Sequence, residues 1–148
     1  MSVSALDVAA YILEKVGETT AMKLQKLVYY SQAWSLVWDE EPLFEEQIEA
    51  WANGPVIPRL YAAHRGQFKV SQIRGGVAGR LTADQCETVD SVLKYYGEKP
   101  SQWLSDLTHM EQPWRDARAR ANLADGDRGN AVIPHADMAE YYGGLSGA

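Results

Sequence analysis

The sequence contains one cysteine, Cys86, among its 148 residues, so no intrachain disulfide can form. At this length a single domain buries enough surface to fold without a covalent or metal staple. One cysteine cannot build a thiolate metal site, and the three histidines, His64, His109 and His135, lack the spacing of metal ligands. We therefore expect one domain, residues 1–148, with no metal, in the reducing environment of the cytoplasm.

A long apolar run and a basic N-terminal leader are also missing. The most apolar segment, Lys23 to Trp38 (KLQKLVYYSQAWSLVW), is interrupted by amines and amides that are costly in a bilayer. The N-terminus, MSVSALDVAAYILEKV, has no basic start, and Glu14 and Lys15 interrupt its apolar residues, so it does not resemble a signal peptide. These features predict a soluble protein that does not enter a membrane.

Basic residues are fewer than acidic ones: 14 Lys and Arg stand against 20 Asp and Glu, which gives a net charge of −6. Proteins bind phosphate backbones chiefly through Lys and Arg, so we expect no direct binding to nucleic acid. The charge is divided between an acidic stretch, Asp39 to Glu49, and a basic stretch, Arg59 to Arg80. Each is either a solvated face or a surface that recognises a charged protein partner. On the second interpretation, the candidate partner-binding residues are Glu45, Glu46, Glu49, Arg59, Arg65, Lys69 and Arg74.

The segment Lys23 to Trp38 carries apolar residues on opposite sides of a helix, with Leu24 on one side and Tyr29 on the other. A helix that is apolar all round is typical of the centre of a helical domain. Its buried amides need hydrogen-bond partners, because each unpaired polar group costs about 1–3 kcal/mol. Gln25 and Gln32 lie on nearly the same side, and we expect them to bond the backbone of a neighbouring loop.

Helix signals recur along the chain. Ser4 with Asp7 caps one helix, Thr19 or Thr20 caps another, and Thr82 with Gln85 forms a capping box. The predicted helices cover 5–16, about 20–38, 59–64, 83–96, 100–110, 114–121 and 134–142, before a frayed tail at 142–148.

Strand signals are few. Residues 47–52 alternate as a short strand, and Asn53-Gly54 supplies a tight turn that tolerates positive φ. Pro55 confines residues 55–57 to an edge strand or an extended segment. The sequence thus predicts a mainly α fold: a single compact helical domain around a central buried helix, with a small β-hairpin or extended segment.

The strongest catalytic candidates are Thr108, His109 and Glu111, which lie close in sequence. They could serve as nucleophile, base and orienting acid of a small hydrolase or transferase. On a helix, however, His109 points about 100° away from Thr108. We therefore favour a simpler interpretation, in which Thr108 and His109 bond carbonyls at a helix end while Pro113 and Trp114 anchor the next turn.

Three segments together resemble a known family. They are KLQKLVYYSQAW (Lys23 to Trp34), PLFEEQIEAWANGPVIPRLY (Pro42 to Tyr61) and LSDLTHMEQPWRDAR (Leu104 to Arg118), and they follow the order and spacing of the Panacea domain. This is an antitoxin domain that is also found in phage-associated proteins and in a proteolytic-adaptor antitoxin. The resemblance covers most of residues 5–142 and leaves residues 67–81 and 119–131 unmatched.

The resemblance implies a mostly α-helical domain that neutralises a co-encoded toxin by direct protein–protein contact, without catalysis or a cofactor. The family's toxins include alarmone-synthetase-like enzymes and small membrane-acting proteins, so the implied partner is a cognate toxin, with which the chain would form a complex. Two alternatives remain: a proteolytic adaptor that contacts a cytoplasmic protease, and the small enzyme described above.

Most positions that match the family motifs are expected to be scaffold, with Trp51 and Trp114 as core anchors. The matching positions are Lys23, Gln25, Lys26, Tyr29, Tyr30, Trp34, Ala50, Trp51, Gly54, Pro55, Val56, Pro58, Thr108, His109, Pro113 and Trp114.

Overall fold

The computed structural model describes residues 2–146, and α-helices account for most of this part of the chain. The helices are α1 (Ala5–Val16), α2 (Ala21–Trp38), α3 (Pro58–His64), α4 (Ala83–Tyr96), α5 (Ser101–Met110), α6 (Gln112–Arg120) and α7 (His135–Ser146). A short 3₁₀ helix covers Ala78–Arg80. The mainly α fold predicted from the sequence is confirmed. Within residues 2–146, no helix combines the length and the hydropathy needed to cross a bilayer.

Helix α2 lies at the centre of the fold, as its all-round apolar pattern predicts. Helices α1, α4, α5 and α7 all pack against it. Every residue from Leu24 to Ala33 is buried, because neighbouring elements cover each side of the helix. The polar members of this buried run are Gln25, Lys26, Ser31 and Gln32.

Side-chain caps fix the starts of three helices. At α1, the Ser4 hydroxyl accepts from the Asp7 amide while the Asp7 carboxylate accepts from the Ser4 amide. Thr82 and Gln85 form the same reciprocal box at α4, and the Thr20 hydroxyl caps α2. These caps satisfy amides that have no partner within the helix, so the three predicted starts are confirmed.

Two small antiparallel sheets join the helices. In the larger one, β2 (Glu49–Trp51) lies between β3 (Gly54–Val56) and β5 (Ala131–Val132). In the smaller one, β1 (Thr19–Thr20) pairs with β4 (Lys69–Val70). The predicted hairpin is present as β2 and β3, and β3 lies at the edge of its sheet, where a strand tolerates proline.

The hairpin turn depends on one glycine. Gly54 has a φ of +123° and pairs with Trp51 across a two-residue loop, whereas Asn53 does not have a positive φ. A Cβ atom on Gly54 would lie 2.7 Å from Cε of Lys26. Glycine is therefore required here both by the backbone conformation and by the close approach of the lysine. The predicted need for positive φ holds for Gly54 and is wrong for Asn53.

Strand β5 was not expected, because the sequence carries no strand signal at residues 131–132. The amide of Ile133 donates to the carbonyl of Ile48 at 2.8 Å, which continues the pairing of β5 with β2. The pairing joins segments about eighty residues apart, so local sequence signals could not indicate it.

Helix α7 runs through Ser146, past its predicted end near Tyr142. Tyr142 is fully buried, and its hydroxyl bonds Glu111 at 2.7 Å, which fixes this part of the helix despite the two glycines that follow. The remainder of the predicted frayed tail, Gly147 and Ala148, lies outside the described residues.

Candidate functional site

The buried side-chain amides of Gln25 and Gln32 in α2 form hydrogen bonds with the backbone of two loops. Gln25 Oε1 accepts from the Ile57 amide at 2.9 Å, and Gln25 Nε2 donates to the Ile57 carbonyl at 3.4 Å. Gln32 Oε1 accepts from the Leu43 amide at 2.6 Å, and Gln32 Nε2 donates to the Phe44 carbonyl at 2.8 Å. The expected pairing of both glutamines with loop backbone is confirmed, but each glutamine holds a different loop.

Gln25 also fixes the end of α3. Its Nε2 lies 2.9 Å from Nε2 of His64, the last residue of that helix. Burial lowers the pKa of His64, which favours the neutral ring that can accept this bond. The central helix therefore places both ends of α3, through Ile57 at its start and His64 at its finish.

Glu111 is the centre of a buried tyrosine cluster. The hydroxyls of Tyr30 and Tyr142 donate to the same oxygen, Oε1, at 2.8 and 2.7 Å, and the Tyr29 hydroxyl lies 3.0 Å from that of Tyr142. Burial raises the pKa of Glu111, and the two hydroxyl bonds partly offset this effect. Burial and the nearby carboxylate also raise the pKa of Tyr30. The cluster ties α2 and α7 to the start of α6.

The other two candidate catalytic side chains have different partners. The Thr108 hydroxyl donates to the Ser105 carbonyl at 2.7 Å. His109 Nδ1 lies 2.7 Å from that carbonyl, and His109 Nε2 lies 3.2 Å from the carbonyl of Ala52. The side chains of Thr108, His109 and Glu111 thus form no hydrogen bond with one another, and the favoured interpretation of carbonyl bonding at a helix end is confirmed.

The two tryptophans that were expected to be core anchors differ. Trp114 is buried, and its indole nitrogen donates to the Trp51 carbonyl at 2.8 Å. Trp51 is half-buried, with its indole nitrogen 2.8 Å from Glu49 Oε1 and its ring against Tyr61. The expectation of a core position is wrong for Trp51, because its ring forms part of a groove wall instead.

Arg118 is a buried cation that sequence reasoning did not single out. Its guanidinium donates to three carbonyls, those of Ala50 and Ala124 at 2.9 Å and that of Asp127 at 2.7 Å. It also lies over the ring of Trp114. Arg118 therefore connects strand β2 to the loop that follows α6. Its position at the end of the third motif segment was the signal that could have identified it.

An open groove of about 930 Å³ lies beside the start of α2. We call it the groove, and it is formed by four parts of the chain: the first two turns of α2, residues 51–56, residues 61–68 and residues 128–130. Its walls are largely apolar, with Met22, Trp51, Tyr61 and Phe68 among the lining side chains. The Phe68 side chain is 75% exposed, which is unusual for a large aromatic residue.

Lys26 lies at the inner side of the groove and is only 2% exposed. Its Nζ donates to the Pro55 carbonyl at 3.4 Å, which is long for a hydrogen bond. Burial lowers the pKa of this amine from 10.5 to about 8, because desolvation disfavours the charged form. Because this pKa is still above neutral pH, the side chain carries a buried positive charge at the groove at pH 7.

The predicted charged residues occupy several environments. Glu46 pairs with Arg59 at 2.6 Å, which joins the acidic stretch to the basic stretch, and it accepts from the Ala5 amide at 3.1 Å. Glu49 accepts from Trp51, and Arg65 is exposed at the edge of the groove. The remaining candidates, Glu45, Lys69 and Arg74, are exposed.

The groove brings together residues that the sequence analysis had kept in separate groups. Gln25, Lys26 and Trp51 come from the family motifs, and Arg65 comes from the basic stretch. Met22 and Phe68 were missed as functional candidates, since nothing local in the sequence shows that an apolar side chain lies at the surface. Among residues 2–146, no cluster of three or more His, Cys, Asp or Glu side chains could hold a metal ion.

The fold and the groove are those of a small helical domain built around one polar but buried central helix. The chain belongs to the family described as antitoxin SocA-like, Panacea domain, whose model matches residues 24–115, more than half of the sequence. The match spans α2 from Leu24 onward, the hairpin and the segment from Thr108 to Trp114. No curated protein and no solved structure matches the chain significantly.

Proposed function

We propose that the chain is an antitoxin that neutralises a co-encoded protein toxin by direct contact. The observation that carries the proposal is the family match over residues 24–115. Co-encoding follows from what the resemblance implies, and the partner is therefore the product of a neighbouring gene. Neutralisation by contact requires a surface that the partner can reach, and the groove offers an apolar one.

The side-chain geometry supports binding rather than catalysis. Both ring nitrogens of His109 lie against backbone carbonyls, and Glu111 accepts two tyrosine hydroxyls inside the core. A general base needs a free nitrogen within reach of the nucleophile's proton, and His109 does not provide one to Thr108. The hydrolase or transferase alternative therefore has no geometric support in this segment.

Exposed charged side chains are further candidates for contact with the partner. Glu45, Arg65, Lys69 and Arg74 are free to steer a charged partner, whereas Glu46 and Glu49 already bond other groups. Glu45→Lys should therefore slow association with the toxin at low ionic strength more than at high ionic strength. Equal association rates of the parent and the variant at two salt concentrations would show that Glu45 is not part of the partner-binding surface.

Co-expression tests the proposed function. The neighbouring reading frame is induced alone and together with the chain, and growth is scored. We expect the chain to restore growth and to copurify with the neighbouring protein in a stable complex. Repeating the assay in a host without its main cytoplasmic proteases separates the adaptor alternative, since blocking by contact would persist there and delivery to a protease would not. No rescue by an intact, folded chain would contradict the proposal.

A further inference from the structure

The groove differs in charge from the rest of the chain. Its lining contains three basic side chains, Lys26, Arg65 and Arg128, and no Asp or Glu. The chain as a whole has a net charge of −6. The ion pairs among the described residues join Arg59, Arg80 and Arg120 to carboxylates, and none involves the three groove cations. The groove is therefore a local positive site on an acidic protein.

Lys26 is the buried member of these three cations. An ammonium group has three N–H donors, and in the described residues only the Pro55 carbonyl, at 3.4 Å, accepts from this one. Burying a charged group without a close partner is unfavourable, so a neutral residue would serve the fold better at this position. Lys26 belongs to the lining of the groove but is only 2% exposed, so pairing with an acceptor in the groove requires its side chain to shift toward the groove.

Apolar side chains surround this charge. Phe68 is exposed at 75%, Met22 at 39% and Tyr61 at 37%, and the ring of Tyr61 packs on Trp51 at a centroid distance of 5.0 Å. Apolar surface of this kind loses contact with water when a complementary surface covers it. A volume of about 930 Å³ also accommodates several side chains rather than one small ion.

We propose that the groove binds a short segment of the partner protein that combines apolar side chains with a carboxylate, and that this carboxylate pairs with Lys26. The apolar side chains pack against Phe68, Met22 and Trp51, and Arg65 and Arg128 attract the acidic segment from the rim. The inference deepens the proposed antitoxin function by naming the chemistry that the toxin must present. It makes Lys26 a recognition residue and not a structural one.

Selection from a library of random peptides displayed on phage tests the groove without any assumption about the toxin. The purified chain is the target, and the peptides that bind it are sequenced and then synthesised. We expect them to combine Asp or Glu with aromatic or aliphatic residues. A synthetic peptide whose acidic residue is changed to its amide should bind at least about 30-fold more weakly, the effect of removing one partner of a buried charge pair.

Matched variants identify the site of binding. Lys26→Met and Phe68→Ser should each weaken the selected peptide strongly, whereas Met110→Ser, at a side chain that is 65% exposed and outside the groove, should not. Melting temperatures of all variants show whether each is folded. Selected peptides without acidic residues, or unchanged affinity in folded Lys26→Met, would overturn the proposal. So would stabilisation by inorganic phosphate with no peptide recovered, since that outcome assigns the groove to a small anion.

A second arm separates this proposal from the antitoxin function. The same three variants are tested for growth rescue against the neighbouring reading frame. Rescue by the parent and by Met110→Ser, but not by Lys26→Met, supports both proposals. Equal rescue by every variant leaves the antitoxin function standing and contradicts the role of the groove. If the expected peptides are selected but the parent does not rescue growth, the antitoxin function is contradicted and the binding role of the groove stands.

Discussion

Lys26 and Pro55 are joined by a single long hydrogen bond, 3.4 Å from the lysine Nζ to the proline carbonyl oxygen. The lysine comes from the second turn of the central helix and the proline from an edge strand. The bond is weak. Among the described residues, the Pro55 carbonyl is the one hydrogen-bond acceptor for this buried ammonium group. A buried charge with one weak hydrogen bond lowers the stability of the fold, so substitution of Lys26 should have a measurable effect on the free energy of unfolding.

We expect Lys26→Met to stabilise the fold. The lowering of the lysine pKa from 10.5 to about 8 corresponds to about 3 kcal/mol against the charged form. Lys26→Met also removes the weak bond to Pro55, which offsets part of this gain. We therefore expect a net increase of about 1–3 kcal/mol in the free energy of unfolding. Urea unfolding at pH 7 measures it, with Lys94→Met as the exposed control. A destabilised Lys26→Met would show that the lysine supports the fold.

The same shift predicts a pH dependence. Between about pH 8 and 10.5 the unfolded chain holds a proton on Lys26 that the folded chain has lost, so the lysine's contribution to stability rises with pH in this window. Below pH 8 both states are protonated, and the penalty is complete. The advantage of Lys26→Met over the parent should therefore shrink as pH increases from 8 to 10. Burial also lowers the pKa of Lys23, but that residue is common to both proteins and cancels.

Gln32→Leu should destabilise the chain by about 2–4 kcal/mol. The leucine would leave the amides of Leu43 and Phe44 and the carbonyl of Phe44 without partners inside the protein. Gln47→Leu makes the same chemical change at an exposed position and should alter stability by less than about 0.5 kcal/mol. Thermal unfolding compares the two. Similar melting temperatures would mean that water replaces the glutamine in holding this loop.

Gly54→Val should cost about 3 kcal/mol or more. A β-branched residue resists the φ of +123°, and its Cβ would lie 2.7 Å from Cε of Lys26. Gly79→Val is the matched control, because Gly79 does not have a positive φ and nothing lies within 4 Å of its added Cβ. Denaturant unfolding of both variants checks the prediction. A Gly54→Val protein as stable as the control would contradict the assigned turn.

Helix starts could be predicted from the sequence because capping is local. The partners in each capping box are three residues apart, so Ser4, Thr82 and their partners are visible in a short window. The central position of α2 also followed from its pattern, because apolar residues on all sides leave no face for water. The glutamines of that helix could be assigned backbone partners in general, but not Ile57 or Phe44 in particular.

The groove could not be predicted, because four distant parts of the chain form it. Phe68 appears in the sequence as one more apolar residue, and only the surrounding backbone shows that it faces solvent. Trp51 was likewise expected to be a core anchor, because the sequence does not show that its ring lines a groove. The charge stretches gave a partial signal: Arg65 does lie at the groove, whereas Glu46 is occupied by Arg59 and by the start of α1.

The contacts of Gln25 with Ile57 are to main-chain atoms. The amide recognises a peptide group that every residue possesses, so the side chain displayed at that point of the loop is free to change. Gln32 and Arg118 hold their loops in the same way. Such a scaffold separates the shape of its loops from their chemistry. We therefore expect that exchanging loop side chains, with these three residues kept, changes which partner is recognised while the fold persists.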